Sequence, residues 1–280
     1  MKFFGIDLGW TTGASGLCCL SWNKDLQHID RVALGHLLSL DDILQWICDR
    51  LDSTESAVVA VDAPTIIPNA TGMRVCDRLA HTYFGKYHAG CYPANLGRPF
   101  AQRTLEVGHR LELLGFRHNP TLEPSELSPV LSNETATDSD SGAAQPSGRY
   151  QLEVFPHAAM LHLFQLEQIL KYKKGRLAER RVELVRLRDL IVDVFPALTP
   201  HFSDQINFDA IAPAIPHKGK EMKAVEDQLD SLVCAYAAAH WWYWGLEKNL
   251  GKNWVLGDRT TGYIVVPTPF GRIGNTSHQQ

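Results

Sequence analysis

Residues 2–13, Lys2-Phe3-Phe4-Gly5-Ile6-Asp7-Leu8-Gly9-Trp10-Thr11-Thr12-Gly13, constrain this chain more than any other stretch. The apolar run is too short for a helix, carries one carboxylate and stops at glycines. That is the pattern of a buried strand delivering an acid to the edge of a sheet. A charge inside an apolar strand is costly unless a cation or a hydrogen-bond donor meets it. Asp7 therefore needs partners from elsewhere in the chain.

Residues 13–22, centred on Leu17-Cys18-Cys19-Leu20, read as a second strand hairpinned to the first through the Gly9–Gly16 turn. Arg31 to Leu38 reads as a third. Ser39 is placed to cap a helix whose buried stripe is Leu40, Ile43, Leu44, Ile47 and Leu51. Ala57-Val58-Val59-Ala60-Val61-Asp62-Ala63 is apolar on both faces, as expected of a central parallel strand, and Pro64 and Pro68 break it. It too ends in an acid. Neighbouring strand ends lie about 5 Å apart. Asp7 and Asp62 at that spacing repel, which raises one pKa unless a divalent ion bridges them.

The spacing predicts helices over 73–84 and 102–114, with turn-forming sequence at 90–97 between them. Cys91 beside His88 reads as a loop cysteine near a surface histidine rather than a thiol nucleophile and its base. Residues 119–149 are rich in Pro, Ser, Thr, Glu, Asp and Gly and read as a long mobile loop within one domain. Tyr150 to Pro156 is a fifth strand, with Gln151, Glu153 and Phe155 on one face, so Glu153 is a third strand-borne acid. A helix follows over 157–170, and His157 and His162 read as structural.

Residues 171–188 hold eight basic side chains, among them Lys173, Lys174 and Arg176, against Glu179 and Glu183. The stretch reads as a solvated helix face or a phosphate-contacting surface. With Tyr172 its sole aromatic, it implies no sequence-specific base readout. Val225 to Trp244 is the clearest helix, Ala-rich with Leu229, Leu232, Val233, Tyr236 and His240 at helical spacing. Asp227 and Asp230, three apart, share a face in its opening turns. Early acids suit the helix dipole, but Asp230 borders the small, buried part, where a mere dipole partner is costly. Gly262 to Pro267 reads as a late edge strand and residues 271–280 as a tail.

The 280 residues suffice for one α/β domain over 1–270, and 45% hydrophobic with 21% charged residues is ordinary for a soluble protein. The six cysteines show no CxxC and read as reduced thiols of a cytoplasmic protein. No signal peptide and no membrane span is expected. A net charge of −4 makes the whole molecule no magnet for nucleic acid, while a local basic surface remains permitted.

Asp7, Asp62, Glu153, Asp227 and Asp230 thus come from different elements. Carboxylates converging at a sheet edge bind hard cations, Mg²⁺ or Mn²⁺. Two such ions about 4 Å apart activate water and stabilise the leaving oxygen in phosphodiester hydrolysis. The order strand (Asp7), strand, strand, helix, strand (Asp62), with Asp227-x-x-Asp230 on a late helix, resembles the ribonuclease-H-like nuclease fold, a mixed five-stranded sheet flanked by helices. The RuvC-type resolvases are the nearest pattern, with Glu where this chain has Asp62. More closely, Gly5-Ile6-Asp7, Val61-Asp62-Ala63-Pro64, Cys76-Asp77-Arg78, Leu152-Glu153-Val154-Phe155-Pro156-His157, Tyr172-Lys173-Lys174-Gly175 and Asp227-x-x-Asp230 resemble an uncharacterised family of predicted RNase-H-fold nucleases.

The resemblance implies a metal-dependent nuclease acting on DNA or RNA. Asp7, Asp62 and Asp230 would hold the metals, Asp227 or Glu153 would complete the shell, and Lys173, Lys174, Arg176 and Arg78 would touch phosphate. Two rivals stand beside it. Gly5-Ile6-Asp7-Leu8-Gly9-x-Thr11-Thr12-Gly13 is similar to the phosphate hairpin of the actin, Hsp70 and sugar-kinase superfamily, although no second such hairpin follows. The other rival is a catalytically inactive binding protein on the same fold.

Overall fold

The computed structural model describes residues 1–121, 148–245 and 253–269. β1 (Lys2–Asp7), β2 (Ser15–Asn23) and β3 (His28–Leu37) form an antiparallel meander. The free side of β1 pairs in parallel with β4 (Ala57–Val61), β4 with β6 (Arg149–Glu153), and β6 with β5 (Arg117–His118). The sheet is mixed, ordered β3-β2-β1-β4-β6-β5, and has six strands where five were expected. The extra strand is two residues long, too short to carry a period-two pattern. The segment 122–147 of the expected loop, and the tail, lie outside the described residues.

α1 (Leu40–Cys48) and α3 (Ala101–Leu113) cover one face of the sheet. Phe4, Ile6, Val59 and Val61 bury there against Ile43, Ile47, Val107 and Leu111. Ser39 caps α1 as expected, its hydroxyl accepting from the Asp42 N–H at 3.0 Å, while Leu51 lies past the helix end. On the opposite face Phe3, Val58, Ala60 and Leu152 pack on Leu229, Leu232, Val233 and Tyr236 of α7 (Gly219–Trp244).

The approach of α7 is set by two glycines. A Cβ on Gly5 would lie 1.9 Å from the Ser231 carbonyl oxygen, and one on Gly16 would lie 1.9 Å from that of Asp227. The helix backbone thus rests directly on β1 and β2, which brings Asp227 and Asp230 down to the sheet. Gly16→Ala has no flexible side chain to push aside. Its expected cost is about 3 kcal/mol, read as a lowered urea midpoint. An unchanged midpoint would show that α7 stands further off.

The remaining elements frame that core. α2 (Val75–Phe84) precedes α3, and α4 (Pro156–Leu163) follows β6, ending earlier than the helix expected over 157–170. α5 (Leu177–Val194) carries the basic stretch, but three of its arginines are spent on packing. Arg180 donates to the Tyr172 carbonyl, Arg181 to that of Ile215 and Arg188 to that of Ala212, on α6 (Phe208–Ile211) and its flank. The expected late edge strand is instead half of a separate hairpin, β7 (Asn253–Asp258) with β8 (Gly262–Pro267). Asp258 accepts from the N–H groups of Thr260 and Thr261, closing the turn. Strand β8 is buried throughout and meets the main sheet through a Val154–Val265 bridge. All six cysteines are free thiols. Among the described residues no helix is long and apolar enough to cross a membrane.

Candidate functional site

Asp7 is the last residue of β1, and Asp62 follows β4, its N–H donating to the Ile6 carbonyl at 2.8 Å. Ile6, Val61 and Glu153 are register partners across three parallel strands. Ile6 and Val61 bury on the α1/α3 face. The next residues, Asp7 and Asp62, fall by alternation on the α7 face, where they are close enough to act on each other's protonation. Asp230 and Asp227, both buried, descend onto them from α7. Four of the five expected acids therefore meet.

Lysines meet them too. Lys173 Nζ lies 2.7 Å from Asp230 Oδ2 and 4.0 Å from Asp7 Oδ1. The Oδ2 contact is ionic but lacks hydrogen-bond geometry, so that oxygen accepts no directed bond. The other oxygen, Oδ1, accepts from the Tyr172 hydroxyl at 2.7 Å. Lys223 bridges Asp227 and Glu226, and His36 Nε2 lies 3.1 Å from Asp227 Oδ2. Lys173, expected on a substrate phosphate, is thus an internal partner of the acids. Lys174, Arg176 and Arg78 are exposed, Arg78 donating to the Met73 carbonyl.

Asp7, Asp62, Asp227, Asp230 and Glu226 carry five negative charges against Lys173, Lys223 and Arg180, with His36 a further partner of Asp227, so the carboxylates outnumber the lysines and arginine by two when all are ionised. Burial pushes the Asp7 carboxyl well above the usual range; Lys173 opposes this, and Asp230 and Asp62 add to it. Burial likewise raises Asp62 to about 6, again against Lys173 and with Asp230. Burial also works against the Lys173 charge, but Asp230 and Asp7 outweigh it and hold the ammonium pKa well above its ordinary value. His157, its ring 5.5 Å from that of Tyr172, is lowered to about 4 by burial and by Lys173. At neutral pH it is an uncharged imidazole with its Nδ1 unpaired.

The sign of the Asp62 shift fixes a pH dependence. Between its ordinary pKa of 3.8 and about 6 the folded protein holds a proton that the unfolded chain has released. Metal-free stability should therefore fall as pH rises through that window, and Asp7, raised in the same direction, adds to the fall. A divalent ion needs the ionised pair, so Mn²⁺ affinity should rise with pH through about 6. Mn²⁺ titrations below and above that pH check this; a flat profile contradicts it.

Glu153 is not brought to this group. Its carboxylate takes Arg74 in a bidentate contact at 2.6 and 2.7 Å, and Arg74 also donates to Asp77 at 2.8 Å. Asp77 accepts in turn from the Ala94 N–H at 2.9 Å. This buried triad ties β6 to α2 and to the loop before α3, on the face to which residue parity assigns Glu153.

Among the described residues, no group of three or more His, Cys, Asp or Glu side chains is placed to hold a metal ion. Asp227 and Asp230 are each held by a lysine, Lys173 stands off Asp7 at 4.0 Å, and among the described residues no ion pair reaches Asp62, so Asp7 and Asp62 are the acids left for an ion. Mg²⁺ commonly binds through one or two carboxylates with waters and substrate phosphate. The pair fits such an ion in oxygen chemistry and in the charge left to neutralise.

His36, Tyr172 and Lys223 were missed in the sequence. Lys223 precedes Asp227 by four residues on one helix, a spacing that pairs opposite charges. His36 faces Gly16 across β2 and β3, so it sits where the α7 backbone touches the sheet. The Tyr172-Lys173 dipeptide reads in the sequence as a charge and a lone aromatic, and neither reading shows Tyr172 buried against Asp230.

Comparison with known sequences and structures adds one relationship. Searches of the curated proteins and of the solved structures found no match. Residues 5–247 match the family described as "Protein of unknown function (DUF429)". The matched region contains every residue of the carboxylate–lysine cluster, and the chain belongs to this family.

Proposed function

We propose that the protein is a divalent-metal-dependent phosphodiesterase acting on nucleic acid, built on a ribonuclease-H-like sheet. The observation that carries this reading is the acid pair: Asp7 and Asp62 at adjacent strand ends, both pushed toward protonation by burial, with one lysine, Lys173, at 4.0 Å from Asp7. The meander β3-β2-β1 with β4 parallel to β1, and the late helix bearing Asp227 and Asp230, support the fold half of the reading.

Asp7 and Asp62 would hold Mg²⁺ or Mn²⁺, which supplies activation of a water and stabilisation of the leaving oxygen. Tyr172 fixes the Asp230 carboxylate, and Lys223 with His36 fixes that of Asp227. Lys173 keeps a positive charge beside the reacting phosphate, and the exposed Lys174 and Arg176 are available to the strand's other phosphates. Labelled single-stranded, duplex and branched DNA and RNA, incubated with Mg²⁺ or Mn²⁺, test the reading. Cleavage stopped by EDTA and by Asp7→Asn supports it. Cleavage that persists in both overturns it.

One observation favours a second reading, an inactive binding protein: Lys173 already supplies a cation between Asp230 and Asp7. The two readings differ in what Lys173→Met does. The variant should lose about 2–3 kcal/mol in EDTA, because Asp230 and Asp7 lose their cation. If the acids are a metal site, Mn²⁺ restores much of that stability by mass action. Thermal unfolding of the variant with and without Mn²⁺ decides; no rescue by Mn²⁺ favours the inactive protein.

A further inference from the structure

Two exposed aromatic rings stand beside Asp62 with no role in the core. Trp10 is 41% exposed and Tyr92 is 55% exposed, so the two rings pack on each other and still show ring surface to solvent. Trp10 sits three residues beyond Asp7, its ring 4.5 Å from the buried Phe100 and 5.6 Å from Tyr92. Together with Asp62 these three rings line one cavity of about 60 Å³. That space is large enough for water and too small for a ring, so an aromatic ligand must lie against the outer faces.

The platform is held rigidly. Gly9 makes a tight turn, since a Cβ there would meet the Gly13 carbonyl oxygen at 2.1 Å, and its N–H donates to Ser15 Oγ at 3.0 Å. Arg103 ties the turn to the next loop by donating to the carbonyls of Gly9 and Leu38, each at 2.8 Å. Arg98 lies with its guanidinium 4.9 Å from the Tyr92 ring centre. With one face of Tyr92 covered by that guanidinium, Trp10 offers the open face, and an open ring beside a cation and Asp62 matches one strand of nucleic acid: base on ring, phosphate near cation.

We propose that the outer face of Trp10 is a stacking shelf for one unpaired nucleobase beside Asp62, with Tyr92, its ring tilted 69° to that of Trp10, as the wall of the shelf. This rests on the nuclease reading and narrows its substrate class to nucleic acid with at least one unstacked base, since a duplex base has both faces covered. The shelf shows rings rather than a ring of donors and acceptors, so it takes any of the bases.

Fluorescence anisotropy of a short labelled oligothymidylate, in EDTA to prevent cleavage, tests the shelf. Trp10→Ala should weaken binding by about tenfold, within the range for losing one base–aromatic stack, and Tyr92→Ala, which removes only the wall, by about threefold. Trp10→Phe and Tyr92→Phe should keep most of the affinity, and binding to a blunt duplex should not change. Alanine variants that bind like the wild type, an equal loss on the duplex, or a wild type that binds no oligothymidylate would each overturn the shelf. Mn²⁺ binding, followed by electron paramagnetic resonance on the same samples, reports on the carboxylates without any oligonucleotide. A failed shelf with intact Mn²⁺ binding leaves the nuclease reading standing; absent Mn²⁺ binding removes the reading beneath it.

Discussion

Arg74→Met should cost about 4 kcal/mol of stability, a large share of what holds a domain of this kind together. Glu153 is 3% exposed and Asp77 fully buried, and the guanidinium serves both while also donating to the Ile66 carbonyl. Methionine fills similar volume but leaves two carboxylates in the interior with no cation. Removing one partner of a buried ionic group costs far more than replacing the whole group, because the desolvation of the survivors is no longer offset. The triple variant Arg74→Met, Asp77→Asn, Glu153→Gln should therefore recover a substantial part of the loss. Urea unfolding followed by tryptophan fluorescence measures both. A single variant within about 1 kcal/mol of wild type would mean that water reaches the triad.

Asp7→Asn should act in the opposite sense on stability and far more strongly on activity. The substitution keeps the shape and removes a carboxyl that burial, and after it Asp230 and Asp62, push toward protonation. The fold should be as stable as wild type or somewhat more so, as expected where a functional site stores unfavourable charge. Metal-dependent cleavage should drop about a thousandfold or more, since several kcal/mol of transition-state stabilisation depend on the ion. A variant that unfolds would place Asp7 among structural charges; one that turns over at the wild-type rate would remove it from the site.

The acids that mattered were legible wherever a charge interrupted a local pattern. Asp7 and Asp62 each end an apolar run too short for a helix, and Asp230 enters an Ala-rich buried helix. Their convergence followed from strand order. Glu153 was legible as a strand acid, but whether its face looks toward α7 depends on the register Val61–Glu153, which no local pattern contains. Its true partner, Arg74, lies 79 residues away in sequence. Lys173 resembled its basic neighbours and was assigned to phosphate. What distinguishes it is Tyr172, which is fully buried and draws the next residue onto Asp230. The strands β5 and β7 went unread because one is two residues long and the other pairs only with its own hairpin partner.

Asp7 and Asp62 are proposed to hold a divalent cation beside Lys173. Anomalous scattering from a crystal soaked in Mn²⁺, wild type against Asp7→Asn, tests it without a substrate. A peak between Asp7 and Asp62 that disappears in the variant is the expected result. Density with no peak, and Lys173 still bridging Asp7 and Asp230 at high Mn²⁺, would contradict it and leave a lysine-neutralised site with no metal chemistry.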